Sequence, residues 1–174
     1  LFDRTAKLHG LGDAERELLE AAAIVHNVGL FISHSSHHKH SYYVVRNSEQ
    51  LTGFTEREIE LIAVIARYHR KSWPKDKHDE FSALARKDRR LVEVLAGLLR
   101  IAIGLDRRHS GSVRSVRVFI DDGVVDVEPI GDGDADLDLE ISAARERSGL
   151  LAEALGVDVR IDRPTLFDMT DLSS

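Results

Sequence analysis

The sequence predicts an α+β fold, with an all-α helical domain over residues 1–112 followed by a small β-β-β-α-β domain over residues 113–174. Three observations carry this. Apolar residues recur at three- and four-residue spacing as far as Leu105, and at two-residue spacing from Val113 onward. The charge changes at the same place: residues 1–112 hold 18 Lys and Arg against 15 Asp and Glu, residues 113–174 hold 6 against 15, and every lysine lies in the first part. The 174 residues suffice to bury about 70% of the unfolded-chain surface without covalent staples. Ser110-Gly111-Ser112 marks the boundary between the two parts.

The elements follow in order. The chain opens Leu1-Phe2-Asp3-Arg4 as if inside a helix, with neither an initiator Met nor a signal segment, so a piece of a longer protein is expected. Gly10-Leu11-Gly12 is a turn. Asp13 is placed to cap a helix through Leu18, Leu19, Ala22, Ala23 and Val25, with His26 and Asn27 in its last turn and Gly29 as its stop. Ser33 to Ser41 reads as a polar loop and Tyr42 to Leu51 as a second helix, broken at Gly53. Thr55-Glu56-Arg57-Glu58 is a capping box, and the helix it opens ends near Tyr68-His69, ahead of Pro74. Asp88 is expected to cap the longest helix, through Leu91 to Leu105-Asp106; that helix is apolar around most of its circumference and is therefore expected at the centre.

In the second part, Val113 to Ile120, Asp121-Asp122-Gly123 and Val124 to Ile130 form a hairpin signature, the turn being built of residues that tolerate positive φ. Strict alternation from Asp134 to Ile141 predicts a third strand. Ala143 to Leu155 predicts one helix stopped by Gly156, and Val157 to Ile161 a final strand. The tail after Arg163-Pro164 is expected to fray.

Composition excludes several chemistries. With no cysteine there can be no disulfide framework, thiolate metal site or thiol nucleophile, and a cytoplasmic location is expected. No apolar run is long enough to span a bilayer, so no membrane partner is expected. The short basic clusters and net charge of −6 argue against nucleic acid. Gly-rich phosphate loops and nucleophile elbows are absent from the sequence.

What remains is basic. Nine histidines include four in His34-Ser35-Ser36-His37-His38-Lys39-His40. Imidazoles can donate to phosphate, shuttle protons or ligate metal. Arg67-Tyr68-His69-Arg70-Lys71 ends the capping-box helix and Asp106-Arg107-Arg108-His109 ends the longest one. Convergence of these helix ends would give a strip of donors suited to a phosphate-rich anion. A metal reading instead takes His26, His69 and Asp106 as ligands of a self-standing metal-dependent nucleotide phosphohydrolase, although Asn27 offers an uncharged amide where a carboxylate would serve. A third reading is a purely structural dimerisation domain.

The run from His26 to Tyr43, with Arg67 to Lys71 and Gly104-Leu105-Asp106-Arg107, closely resembles the C-terminal half of the exopolyphosphatase and guanosine-pentaphosphate phosphohydrolase (Ppx/GppA) family. The resemblance implies an HD-like helical domain followed by a small α/β domain. It also implies a parent whose actin-like catalytic domain, with its Mg²⁺, lies outside this chain, leaving this portion without catalytic residues of its own. The helical half is then expected to help hold polyphosphate or a guanosine polyphosphate, and to contribute to a homodimer. On this basis His34, His37, His38, Lys39 and His40 match the family's histidine-rich loop, and Arg67, His69, Arg70 and Lys71 its basic helix end, with Arg107 joining the phosphate-binding set. Many members of the family carry His-Asp where this chain has His26-Asn27.

Overall fold

The computed structural model describes residues 1–133 and 135–164. A single turn of 3₁₀-helix, Asp3–Thr5, runs into α1 (Ala6–His9), which Gly10 ends in the left-handed region. Helix α2 (Asp13–Val25) starts one residue earlier than a cap at Asp13 would place it: Gly12 is the N-cap, and its N–H donates to Glu15 Oε2 at 2.9 Å. A second 3₁₀ turn, Val28–Phe31, folds the chain back into α3 (His37–Arg46). Here the expected polar loop is corrected, because helix α3 already begins at His37 and ends at Arg46. Val45 and Ser41 turn one side of it inward, and the histidines of the first turn go with them.

Gly29 is what allows this fold-back. A Cβ there would lie 2.2 Å from the His37 carbonyl oxygen and 2.3 Å from the Ser41 nitrogen, so only a bare backbone fits. Ser41 completes the joint: its hydroxyl accepts from the Gly29 N–H at 3.0 Å and donates to the His26 carbonyl at 2.6 Å. The end of α2 is thereby fixed against the start of α3.

Helix α4 (Glu56–Arg67) has the expected start, with the Thr55 N–H donating to Glu58 Oε2 at 2.7 Å. It is buried on all sides from Leu61 to Ala66, and so shares the centre with α6 (Arg86–Leu105), where one central helix was expected. A short α5 (Asp79–Ser82) lies between them. The N-cap of α6 is Ala85; Asp88, expected to cap it, accepts instead from Arg57, with Nε at 3.0 Å.

The hairpin is as the sequence predicts. Strands β1 (Val113–Asp121) and β2 (Val124–Gly131) pair antiparallel around Asp122-Gly123, whose φ values of 41° and 76° give the turn that matches strand twist. The third strand is not present. Leu137 ends the approach and α7 (Asp138–Arg145) follows, because Leu137 and Ile141, four apart, both turn inward while Leu139 between them is 46% exposed. Three alternating leucine-type residues thus satisfy a helix by leaving the middle one in water. The single helix expected from Ala143 to Leu155 is broken at Glu146–Ser148, giving α7 and then α8 (Gly149–Leu155), which Gly156 stops at φ 68°. Strand β3 (Asp158–Ile161) returns parallel to β2, so the sheet order is β1-β2-β3 and the unit is β-β-α-α-β. Asp134, where the third strand was expected to begin, and the tail beyond Pro164 lie outside the described residues.

Helix α6 joins the two halves. Its one side packs on α2 and α4, and its other side on α7 and α8. Gly97 and Gly104, two turns apart, let those helices approach closely: a Cβ at Gly97 would meet the Leu151 backbone at 2.8 Å, and one at Gly104 the Ala144 Cα at 2.5 Å. The apolar core is continuous from Leu18 through Leu61, Leu95 and Leu151 to Ile161. Among the described residues no helix is long and apolar enough to cross a membrane.

Candidate functional site

Five chain segments meet at one cleft of about 440 Å³. The end of α2 brings His26 and Asn27, the first turn of α3 brings His37, and the residues after α4 bring His69 and Arg70. The end of α6 supplies Asp106, Arg107 and His109, and the α7–α8 turn supplies Arg147. Four of these segments lie at the C-terminal ends of helices, α2, α4, α6 and α7, whose outward carbonyls favour basic neighbours. Two imidazoles close their own helices in the same way. His26 Nδ1 lies 2.7 Å from the Ala23 carbonyl and His69 Nδ1 2.7 Å from the Ala66 carbonyl.

The hydrogen bonds assign the ring proton of His69. His69 donates from Nδ1, so its Nε2 is an acceptor, and it lies 3.3 Å from His37 Nε2. His37 Nδ1 lies 3.3 Å from the His34 carbonyl and 3.2 Å from Arg70 Nη1, which is also 3.4 Å from His37 Nε2, so each neutral tautomer of His37 serves a different pair of partners. The His37 and His69 rings stack with centroids 5.3 Å apart, while the His26 ring meets His69 edge-on at 4.9 Å. Burial lowers the pKa of His26 and His37 and pushes His69 down to about 3. The imidazole floor is therefore neutral at physiological pH, and the cleft's positive charge comes from guanidinium groups.

The half-buried Arg70 and Arg147 stand out in lacking acid partners, a property that the exposed Arg107 shares with the exposed Arg4, Arg86 and Arg90. Arg70, Arg107 and Arg147 form no ion pair with any described residue, and Asp106 is the one carboxylate lining the cleft. Behind them Arg100 is buried, donating to the Tyr68 carbonyl at 2.8 Å and the Lys71 carbonyl at 3.0 Å, again without a carboxylate. Burial, and then Arg147 nearby, lowers the pKa of Arg100. Elsewhere arginines of comparable burial are paired. Arg117 pairs with Glu128, and Arg67 with Glu80.

Of the residues expected at a phosphate site, the structure brings His37, His69, Arg70 and Arg107 into the cleft. His34, Lys39, His40 and Lys71 are not among its lining residues, and His34, Lys39 and Lys71 are exposed. His38 is buried on α3 with its Nδ1 unpartnered, and burial, with Arg67 and Arg70 nearby, pushes its pKa down to about 4. Arg67 faces away: its Nε donates to Glu80 on α5 and its guanidinium lies 5.2 Å from the Tyr68 ring centre. Arg147 was not legible at all, since a helix running unbroken through it would present it as one more solvated charge.

A family profile described as Ppx/GppA phosphatase, domain III, matches residues 1–126. The chain belongs to the Ppx/GppA phosphatase family. A curated relative, the guanosine-5'-triphosphate,3'-diphosphate pyrophosphatase of Pseudoalteromonas translucida (strain TAC 125), is 35% identical over 96 residues. That match covers 55% of this chain and 18% of the relative, so the chain spans a small part of the length of the protein it resembles.

The cleft of this Ppx/GppA domain offers poor ligands for a hard cation. Mg²⁺ favours an octahedral set of oxygens, and the cleft supplies one carboxylate and one amide among imidazoles and guanidiniums. His26, His69 and Asp106 all line it, yet among the described residues no group of three His, Asp or Glu side chains could hold a metal ion. What the arrangement can do is bind an anion. Guanidinium forks are donors matched to phosphoryl oxygens, whereas the single N–H groups of neutral His26 and His69 are already directed at the Ala23 and Ala66 carbonyls.

Proposed function

We propose that this chain is the substrate-binding, C-terminal portion of an exopolyphosphatase-type phosphatase, and that its cleft holds polyphosphate or a guanosine polyphosphate. The supporting observation is the set of arginines Arg70, Arg107 and Arg147, which face one cleft without acid partners among the described residues. Membership of the Ppx/GppA family, and a relative named for cleaving a guanosine polyphosphate, support phosphoanhydride chemistry in the parent protein. In that parent, water attacks a terminal phosphorus, the bridging P–O bond breaks, and orthophosphate leaves from the shortened chain. The Mg²⁺ and carboxylate for this step belong to a catalytic domain outside this chain, and the cleft's role is to hold and orient the anion.

Titration of medium-chain polyphosphate into the chain tests this. Binding is expected to weaken steeply between low and physiological salt, because each phosphate contact is electrostatic. Arg70→Gln and Arg107→Gln are each expected to lower affinity about tenfold, the size of one charged hydrogen bond. Affinity equal to that of the unaltered chain in both variants overturns the reading.

A homodimer is part of the same proposal. It is supported by an apolar run left in water beside the cleft-forming joint: Ile24 is 82% exposed, Phe31 96% and Ile32 51%. Sedimentation of Phe31→Ser is expected to show monomer where the unaltered chain shows dimer; an unchanged distribution removes this surface from consideration.

A further inference from the structure

The helical half alone does not close the cleft. Its last wall is the Glu146–Ser148 break between α7 and α8, and the break is what turns Arg147 inward. Arg147 is half-buried, and the one bond it makes among the described residues runs from Nη1 to the Ala143 carbonyl, at 2.7 Å, inside its own unit. A guanidinium has five donors, so four remain for the cleft. Across it stand Arg70 and Arg107, and behind it the buried Arg100, all of the same sign. Asp106 is the one carboxylate beside them and it pairs with His109, so the guanidiniums outnumber it and an anion lying between them relieves their repulsion. The placement is also mechanical. Arg147 sits on the α7–α8 unit, whereas Arg70 and Arg107 follow α4 and end α6.

We propose that Arg147 is a direct phosphate-binding residue, and that the bound anion bridges the helical half to the C-terminal α7–α8 unit. This rests on the reading that the cleft takes a phosphoanion. Its consequence is that ligand binding tightens the docking of α7 and α8 on α6, so the acidic C-terminal part is a working wall of the site. The cleft volume, about 15 water molecules' worth of space, admits more than one phosphoryl group, as a bridge requires.

Inorganic tripolyphosphate is the probe. It is titrated calorimetrically into the unaltered chain, Arg147→Gln and Arg147→Lys, and amide hydrogen exchange is followed with and without it. The expected result is an affinity about tenfold lower in Arg147→Gln, partly restored in Arg147→Lys, with unliganded thermal stability unchanged. In the unaltered chain, tripolyphosphate is expected to slow exchange of the amides from Ala143 to Leu150. Equal affinity in all three proteins overturns the proposal, as does protection that spares residues 143–150 while slowing exchange around Arg70 and Arg107. If Arg147→Gln does not fold, the exchange data on the unaltered chain decide alone. No binding by the unaltered chain ends both this proposal and the reading of the cleft; binding without a contribution from Arg147 ends this proposal only.

Discussion

His38 and His69 are held neutral by burial, with pKa values of about 4 and about 3, well below the roughly 6.5 of an unfolded histidine. Below pH 6.5 the unfolded chain therefore binds protons that the folded chain refuses. Stability contributed by these two groups is complete above pH 6.5 and is lost as pH falls toward 4 for His38 and toward 3 for His69, at up to about 1.4 kcal/mol per pH unit for each. Urea unfolding at pH 7 and pH 5 checks this: the unaltered chain is expected to lose stability between the two, and His38→Gln to lose less. An equal loss in both would mean that the proton uptake lies elsewhere. The histidine-rich run was legible in the sequence as something chemical, but its division of labour was not. His37 and His38 are drawn inward because α3 starts beneath them, and His34 and Lys39 are left outside; that depends on Gly29 and Ser41 fixing the register, a contact 12 residues apart that no local spacing encodes. The pairing of Arg67 was illegible for a similar reason, since its partner Glu80 sits on a four-residue helix that carries too little pattern to announce itself.

At the scale of elements, the long periodic helices and the hairpin were legible because each rests on several coincident signals. Thr55 with Glu58 marks the start of α4, and Asp122-Gly123 marks the hairpin turn. The failure at Asp138–Arg145 has a definite cause: Leu137, Leu139 and Ile141 fit a strand by alternation and a helix by the outer pair, and what selects the helix is the side of α6 that waits for it. Gly104 is the counterpart of that choice. Gly104→Ala improves intrinsic helix propensity by about 1 kcal/mol, yet the added methyl would sit 2.5 Å from the Ala144 Cα, and overpacking against backbone costs about 1–3 kcal/mol. Urea melts are expected to show net destabilisation for Gly104→Ala and a change within about 0.5 kcal/mol for Gly53→Ala, where nothing lies within 4 Å of the new methyl. Equal stability of the two variants would show that α7 can retreat from α6 without cost.

Across the whole molecule, the charge division read from the sequence and the packing seen in the structure run along different lines. The basic excess stops at residue 112, but the apolar core and the cleft both continue past it, through Leu151 and Arg147. A charge count sees surfaces and a core sees neighbours, so the sequence pointed to helix ends that meet in the cleft and not to its last wall. The parallel pairing of β2 with β3 carries a further consequence, one of timing. Antiparallel β1 and β2 can meet across a two-residue turn within microseconds, whereas β3 finds β2 only after α7 and α8 have been laid against α6. During synthesis the helical half can settle while the last strand is still being made, leaving the edge of β2 from Val124 to Val127 unsheltered until residue 161 arrives. In the interval before that edge is covered, the nascent chain is at its most exposed to pairing with a neighbour instead of with itself.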